Sequence, residues 1–184
     1  MKKLLLIAGD LATGKSTFGA VLAKRYGVVA LYKDRFKETL GDTIGFSNRE
    51  ENLKLSFASA ALMRMIFSSF TSVDADLILE SNFRQEELEL LHDIARERGY
   101  QVLTVVLRAD LEILHRRFLH RLHHENRHVV HASGGMEDYD LFVSYVTKQR
   151  HLVIPGDMVQ VCADDFSYQT DEALLSRLDR FMKS

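Results

Sequence analysis

The fold of this chain is decided by the stretch Gly9-Asp10-Leu11-Ala12-Thr13-Gly14-Lys15-Ser16. It matches the pattern G-x-x-x-x-G-K-[ST] at every fixed position. The apolar run Leu4–Ala8 precedes it and predicts a strand, and Lys15–Tyr26 follows with the pattern of a helix. Because a strand, a glycine-rich turn and a helix occur in the required order, the pattern indicates a phosphate-binding loop rather than a chance glycine turn.

The residue types of this loop, a P-loop or Walker A motif, predict its chemistry. Glycines let the backbone turn so that its N–H groups point at phosphate oxygens, and the N-terminus of the next helix adds partial positive charge. Lys15 would reach the β- and γ-phosphates, and the Ser16 hydroxyl would bind Mg²⁺ with Thr17 beside it. We therefore expect Gly9–Thr17 to bind ATP and Mg²⁺, and the lack of an N-K-x-D motif leaves GTP open.

Short apolar runs alternate with longer helical segments along the rest of the chain. Further strands are predicted over Val28–Tyr32, Asp76–Glu80, Val102–Leu107 and Met158–Cys162. Further helices are predicted over Asp34–Leu40, Arg49–Phe70, Gln85–Arg98, Leu111–His124, Tyr139–Arg150 and Glu172–Met182. This alternation predicts an α/β protein with a mostly parallel five-stranded sheet and helices on both faces. Together with the phosphate loop it indicates a three-layer α/β/α P-loop NTPase fold, and a helical lid is what the family resemblance described below implies.

The long helix predicted over Arg49–Phe70 is rich in apolar residues. On one face it should carry Leu53, Phe57, Ala60, Ala61 and Met65. The large apolar side chains of this helix would be part of the core or would line a pocket for the phosphoryl acceptor.

Composition limits the classes of function. The 184 residues are 46% hydrophobic and 27% charged, which suits one globular domain over residues 1–184. A net charge of -2 argues against a dedicated nucleic-acid binder. The single Cys162 suits a reducing compartment, and apart from Leu4–Ala8, which is too short, we expect no stretch apolar enough to span a membrane. These features favour a cytoplasmic protein and leave the oligomeric state open.

Four segments in the same order resemble the small P-loop kinases of the AAA_33 type, relatives of polynucleotide 5′-kinases and of zeta-toxin-like and chloramphenicol phosphotransferase folds. They are the loop Gly9–Thr17, the run Lys33-Asp34-Arg35-Phe36-Lys37-Glu38, the run Leu77-Ile78-Leu79-Glu80-Ser81-Asn82-Phe83, and Arg117 with Arg121 followed by Arg127. The resemblance extends from Lys3 to about Arg150. It implies an ATP-dependent kinase, with a lid over about 115–135 and acceptor-side helices over about 35–72.

The acceptor is not identified by this resemblance. A hydroxyl of a small molecule is the first expectation. A polynucleotide 5′ end is the second, although the acidic net charge disfavours it. A toxin-like or regulatory ATP-binding protein is the third.

Two carboxylates are candidates for the transfer step. In the resembling kinases the residue that matches Asp34 is the proposed base, which orients the acceptor hydroxyl and takes its proton. Asp34 could instead cap the helix that follows it. Glu80 ends an apolar strand, where it could hold Mg²⁺, a metal-bound water or the acceptor. Lys37, Asn82 and Arg84 are further candidate acceptor contacts.

Positive and titratable side chains cluster in the predicted lid. Arg117 and Arg121 lie four residues apart on one helix face, and Arg127 follows in a polar loop. A closing lid could bring them to the charge that develops on the transferred phosphoryl group. Five histidines are expected to be solvent-exposed lid residues, with zinc or an anionic ligand as less favoured alternatives. They are His120, His123, His124, His128 and His131.

Two loops complete the prediction. A loop over His131–Gly135 is indicated by the pair Gly134-Gly135. The adenine base is expected near the loop after the last strand, around Ala163–Asp165.

Overall fold

The computed structural model of the chain describes residues 2–125, 127–131 and 135–184. Within these residues there are five strands, β1 (Lys2–Gly9), β2 (Val29–Tyr32), β3 (Leu77–Glu80), β4 (Tyr100–Arg108) and β5 (Asp157–Cys162). The seven α-helices of the same residues are α1 (Lys15–Tyr26), α2 (Lys33–Ile44), α3 (Arg49–Phe70), α4 (Gln85–Glu97), α5 (Leu111–His124), α6 (Tyr139–Arg150) and α7 (Glu172–Lys183). Short 3-10 helices cover Val129–His131 and Ser167–Thr170.

All five strands pair in parallel in the order β2-β3-β1-β4-β5. The prediction of a five-stranded parallel sheet is confirmed. Because β1 is the central strand, the loop that follows it opens at the carboxyl edge of the sheet, between the ends of β3 and β4. In an open parallel sheet this edge is where ligands bind.

The alternation of side chains along β1 produces the three layers. Leu5 and Ile7 belong to one core cluster, and Leu4, Leu6 and Ala8 belong to another on the opposite face. The first cluster includes buried residues of α1, α5, α6 and α7, and the second includes buried residues of α3 and α4. Helices therefore cover both faces of the sheet, as predicted for a buried parallel sheet.

The ends of α1 are fixed by two glycines in the left-handed region. Gly14 precedes the helix with φ of 86°, and Gly27 ends it with φ of 67°. An L-residue with a Cβ is strained in this region, which is why glycine marks both ends. The structure therefore confirms the predicted bounds of α1. The predicted glycine loop over His131–Gly135 lies largely outside the described residues.

The predicted apolar face of α3 is wrong. Leu53, Phe57 and Met65 are each about half exposed, and Ala61 is exposed as well. The buried side is instead formed by Asn52, Leu55, Ser59, Met63 and Phe67. Apolar residues surround most of this helix, so its periodicity does not select the side that packs on the sheet.

By length and composition alone, α3 is also apolar enough to cross a membrane, and among the described residues it is the one helix that meets this test. The expectation that the chain has no such stretch is therefore wrong. In the fold, α3 packs against the sheet through Met63 and Phe67.

Candidate active site

The loop after β1 has the backbone of a phosphate cradle. Gly9 has φ of 122°, and an added Cβ there would lie 2.0 Å from the carbonyl oxygen of Leu107. Gly14 has φ of 86°, and an added Cβ would lie 2.8 Å from Oη of Tyr168. The first turn of α1 has no side-chain cap. Its N–H groups are therefore free to bind an anion at the carboxyl edge of the sheet.

Lys15, Ser16 and Glu80 form the polar floor of this cradle. The Ser16 hydroxyl donates to Oε2 of Glu80 over 2.9 Å, and Nζ of Lys15 donates to the carbonyl oxygen of Asp10. Burial lowers the pKa of the Lys15 ammonium and raises the pKa of the Glu80 carboxyl, and in each case the charge of the other group opposes the shift. A triphosphate placed here would add negative charge next to the buried lysine and favour its charged form.

The donor set fits a magnesium ion that is shared with phosphate. A serine hydroxyl and a carboxylate are oxygen ligands of the kind that Mg²⁺ prefers. Across residues 2–125, 127–131 and 135–184, no group of three or more His, Cys, Asp or Glu side chains could hold a metal by itself. An ion next to Ser16 and Glu80 would therefore take its remaining ligands from phosphate oxygens and water.

A single cavity of about 1050 Å³ brings the predicted site residues together. It is lined by the loop residues Leu11, Ala12, Thr13, Gly14, Lys15, Ser16 and Thr17, by Asp34, Glu80 and Asn82, and by Arg117, Arg121 and Arg127. These residues come from five separate parts of the chain, so their convergence is a property of the fold.

Asp34 presents a carboxylate to this cavity. The helix α2 begins at Lys33, and its N-cap is Tyr32, so Asp34 lies inside the first turn. The alternative prediction, that Asp34 caps the helix, is therefore wrong. The exposed Asp34 side chain has no hydrogen-bond partner among the residues described, and its charge acts on Lys15 and Glu80. Such a carboxylate is free to accept a proton from a bound hydroxyl.

The three arginines that were predicted to belong to a lid have different surroundings. Arg117 donates to the carbonyl oxygens of Ala163 and Asp164, over 2.7 and 2.6 Å. Arg121 is nearly half exposed and pairs with Glu125 over 3.3 Å. In contrast, Nε and Nη1 of Arg127 are buried without a hydrogen-bond partner within the described part of the chain. Burial lowers the pKa of Arg127, and the nearby positive charge of Arg121 adds to this shift.

Four predicted ligand contacts lie outside the lining of this cavity, namely Gly9, Asp10, Lys37 and Arg84. Gly9 and Asp10 do not line the cavity, and the Asp10 carboxylate is instead bound by Arg150. Nζ of Lys37 donates to the carbonyl oxygen of Val130 over 3.1 Å.

Arg84 also lies outside the cavity lining. It pairs with Glu87 over 2.8 Å and covers the ring of Phe57 at 4.1 Å. This geometry gives no support to acceptor contacts by Lys37 and Arg84. It does support Asn82, whose Oδ1 is buried without a partner among the described residues.

The histidines do not share one environment, so the expectation that all are exposed is wrong. His131 pairs with Glu38 and His128 pairs with Asp42, each over 2.9 Å. Both line the cavity, and the His131 side chain is largely buried. Burial lowers the pKa of His131, while the charges of Asp34 and Glu38 oppose this.

Sequence reasoning missed Phe166, an aromatic residue that lines the cavity, and Tyr168, which packs behind the phosphate loop. The Phe166 ring lies beside Gly14 and under the Arg117 guanidinium, 4.4 Å from ring centroid to Cζ. Oη of Tyr168 donates to the carbonyl oxygen of Thr13 over 2.8 Å. The sequence did contain a signal for Phe166, because this residue directly follows the loop 163–165, which was predicted to lie near the adenine base.

The chain matches one protein family by sequence and several solved structures by fold. The sequence profile of the AAA_33 family, described as an AAA domain, matches residues 4–134. No curated protein matches the chain. A presumed kinase from Chloroflexus aurantiacus J-10-fl is 24% identical with a TM-score of 0.84, and 98% of each chain is covered.

Two further solved structures carry more specific names. A gluconokinase from Sinorhizobium meliloti 1021 is 15% identical with a TM-score of 0.64, covering 98% of this chain and 94% of its own. A shikimate kinase from Bacteroides thetaiotaomicron is 16% identical with a TM-score of 0.63, and 99% of each chain is covered. At these identities the similarity establishes the fold.

Proposed function

The chain belongs to the AAA_33 family, and from that premise we propose that it is an ATP-dependent kinase that phosphorylates a hydroxyl group of a small molecule. The observation that carries the proposal is the shared cavity of the phosphate loop, Asp34 and the lid arginines. A loop that only bound nucleotide would not require, in the same space, a carboxylate and an arginine whose Nε and Nη1 atoms are buried without a partner among the described residues. In-line phosphoryl transfer uses both groups.

Each residue has a distinct task in this proposal. The amides of the loop and Lys15 hold the β- and γ-phosphates, and Arg117 with Phe166 borders the space for the base. Mg²⁺ bound next to Ser16 and Glu80 would neutralise charge on the phosphate oxygens. Asp34 orients the acceptor hydroxyl and takes its proton. Arg121 and Arg127 neutralise the charge that develops on the phosphoryl group as it moves.

The acceptor is expected to be polar and hydroxylated. The cavity wall beyond Asp34 includes Arg35, Glu38, Asn82 and His131, which are groups that hydrogen-bond to hydroxyls. Solved structures of the same fold include a gluconokinase and a shikimate kinase, whose names refer to hydroxylated small molecules. We also propose a cytoplasmic location and one kinase domain, with a lid over about 115–135 and acceptor-side helices over about 35–72.

The test combines a binding measurement with a transfer measurement. The wild-type chain should bind Mg·ATP, and Lys15→Ala should lose this binding, whereas Lys24→Ala on the exposed side of α1 should retain it. Labelled ATP is then incubated with metabolite pools, single-stranded oligonucleotides and UDP-sugars. Label in a small metabolite supports the proposal, and label in an oligonucleotide would support a polynucleotide kinase instead. Mg·ATP binding that survives the loss of Lys15 would refute the assignment of the loop.

A further inference from the structure

The segment Arg127–His131, which follows α5, is docked on the acceptor-side helices. Its central residue Val130 is only 1% exposed. The side chain of Val130 lies against α2 at Gly41, where an added Cβ would be 2.4 Å from Cγ1 of Val130. Real Cβ atoms do not approach a carbon this closely, so only glycine at position 41 leaves room for this valine.

Polar contacts hold the same residue from two helices. The carbonyl oxygen of Val130 accepts from Nζ of Lys37 on α2, over 3.1 Å, and from Nδ2 of the buried Asn52 on α3, over 3.0 Å. The neighbouring His128 and His131 pair with carboxylates of α2. A carbonyl that accepts two side-chain donors at once is firmly placed.

Arg127 begins this docked segment, and its side chain reaches the cavity. Its guanidinium lies over the Phe118 ring at 5.1 Å and lines the cavity. The charges of Asp34 and Arg121 both act on it. Because Nε and Nη1 find no partner among the described residues, no local hydrogen bond at these atoms fixes the side chain. The segment is fixed on α2 by the pair of His128 with Asp42, one residue from Arg127, and by the buried contact between Gly41 and Val130, three residues away.

We propose that Gly41 and Val130 form a positioning contact that places Arg127 in the cavity next to Asp34. Under this proposal the acceptor-side helix α2 sets the position of one transfer arginine, and the residues at positions 41 and 130 act on catalysis only through Arg127. The inference rests on the proposed function, because it assigns Arg127 to the transfer step.

The test is Gly41→Ala in the full chain. An ordinary contact begins near 3.4 Å, so a Cβ at 2.4 Å must push Val130 away by about 1 Å. A misplacement of about 1 Å can cost about 100-fold in rate. We expect kcat for hydrolysis of Mg·ATP by water to fall about 100-fold, while KM for ATP changes less than about twofold because the phosphate loop is untouched. Thr39→Ala, on the exposed side of α2, should leave kcat unchanged.

Rescue separates positioning from general damage. Val130→Ala makes room for the new methyl group, so the double variant Gly41→Ala/Val130→Ala should return kcat to within about fivefold of Val130→Ala alone. A second readout is amide hydrogen exchange of residues 127–131, which should be faster in Gly41→Ala and slower again in the double variant.

The outcomes distinguish the two proposals. Unchanged exchange in Gly41→Ala, or faster exchange with unchanged kcat, would overturn the positioning contact. A wild-type chain that fails to bind Mg·ATP, or binds it without transferring label to any small metabolite, would overturn the proposed function. In that case the exchange of residues 127–131 alone decides whether Gly41 and Val130 hold this segment.

Discussion

Arg150→Ala is the perturbation whose magnitude the structure defines best. Arg150 ends α6, and its Nη2 and Nε atoms bind the Asp10 carboxylate over 2.6 and 3.1 Å. Asp10 is the second residue of the phosphate loop, and its side chain is 2% exposed. The backbone N–H of Ala109 also donates to this carboxylate, over 3.3 Å. Among the described residues, the variant would therefore leave the buried Asp10 carboxylate with one weak hydrogen bond, and Lys15 would act on it only through its nearby charge.

The expected loss of stability is large for one side chain. Removing one partner of a buried ion pair costs about 3–5 kcal/mol. Because the Arg150 side chain is 27% exposed, water can enter when it is removed, and the lower value of about 3 kcal/mol is expected. In a domain of this length about 3 kcal/mol corresponds to a decrease in Tm of about 6–12 °C. Urea unfolding followed by circular dichroism measures the free energy directly.

Two control variants make this result interpretable. Arg96 pairs with Asp93 on the surface, and Arg96→Ala should cost less than about 1 kcal/mol. The double variant Asp10→Asn/Arg150→Ala removes the buried charge as well, so it should recover part of the stability lost in Arg150→Ala. Mg·ATP binding should weaken in Arg150→Ala, because the Asp10 carbonyl also holds Lys15. A cost no larger than that of Arg96→Ala would refute this reasoning.

Three further predictions concern the site. Asp34→Asn should lower kcat by about 10²–10⁴-fold while Mg·ATP binding, measured by calorimetry, stays within about twofold; unchanged turnover with the true acceptor would exclude Asp34 as the base. Ser16→Ala should raise the Mg²⁺ concentration for half-maximal turnover by about tenfold or more, and an unchanged Mg²⁺ titration would rule out Ser16 as a ligand. Burial lowers the folded-state pKa of His131, so the folded state binds this proton less readily than the unfolded state does. The contribution of His131 to the free energy of unfolding is therefore fully present above about pH 6.5 and is lost as the pH falls through the lowered pKa. His131→Gln should flatten this part of the plot of urea-unfolding free energy against pH. An equally steep plot for the variant would contradict this prediction.

Local signals in the sequence were sufficient for the phosphate loop and its helix. Gly14 and Gly27 mark both ends of α1 because their backbone angles are strained for other residues. The position of Asp34 after β2 was also predictable, because neighbouring parallel strands end at the same edge of the sheet. For these residues, the position in the site is set by one or two neighbouring strands or helices, so it can be predicted from the sequence.

The sequence could not predict contacts that depend on distant partners. Lys37 and Arg84 looked like ligand contacts, but Val130 and Glu87 take up their charged ends. Arg150 gave no signal at all, since its partner Asp10 lies 140 residues away in the chain. Whether such a side chain binds a ligand or another residue depends on which parts of the chain pack together, and the residue types alone do not show this.

The helix α3 shows a second limit of periodicity. Apolar residues occur on several of its sides, so the helical period is satisfied by more than one face. The small and polar residues Ser59 and Asn52 lie on the buried side, where Ser59 bonds to the carbonyl of Leu55 and Asn52 bonds to Val130. Asn52 is therefore buried because it hydrogen-bonds to the segment Arg127–His131. A scale based on hydrophobicity would place this residue on the exposed side of the helix.

Arg117 and Arg127 are held by different parts of the fold, and under the proposed function each would lie near a different one of the two substrates. Arg117 is held by the loop after β5, next to the phosphate loop and Phe166. Arg127 belongs to a segment held by α2 and α3, next to Asp34. A phosphoryl group that leaves the nucleotide must cross from the first region to the second. Because each arginine is fixed to a different region, both would contact the group in transit only when the regions are correctly spaced. Correct spacing therefore depends on the contacts of α2 and α3 as much as on the phosphate loop.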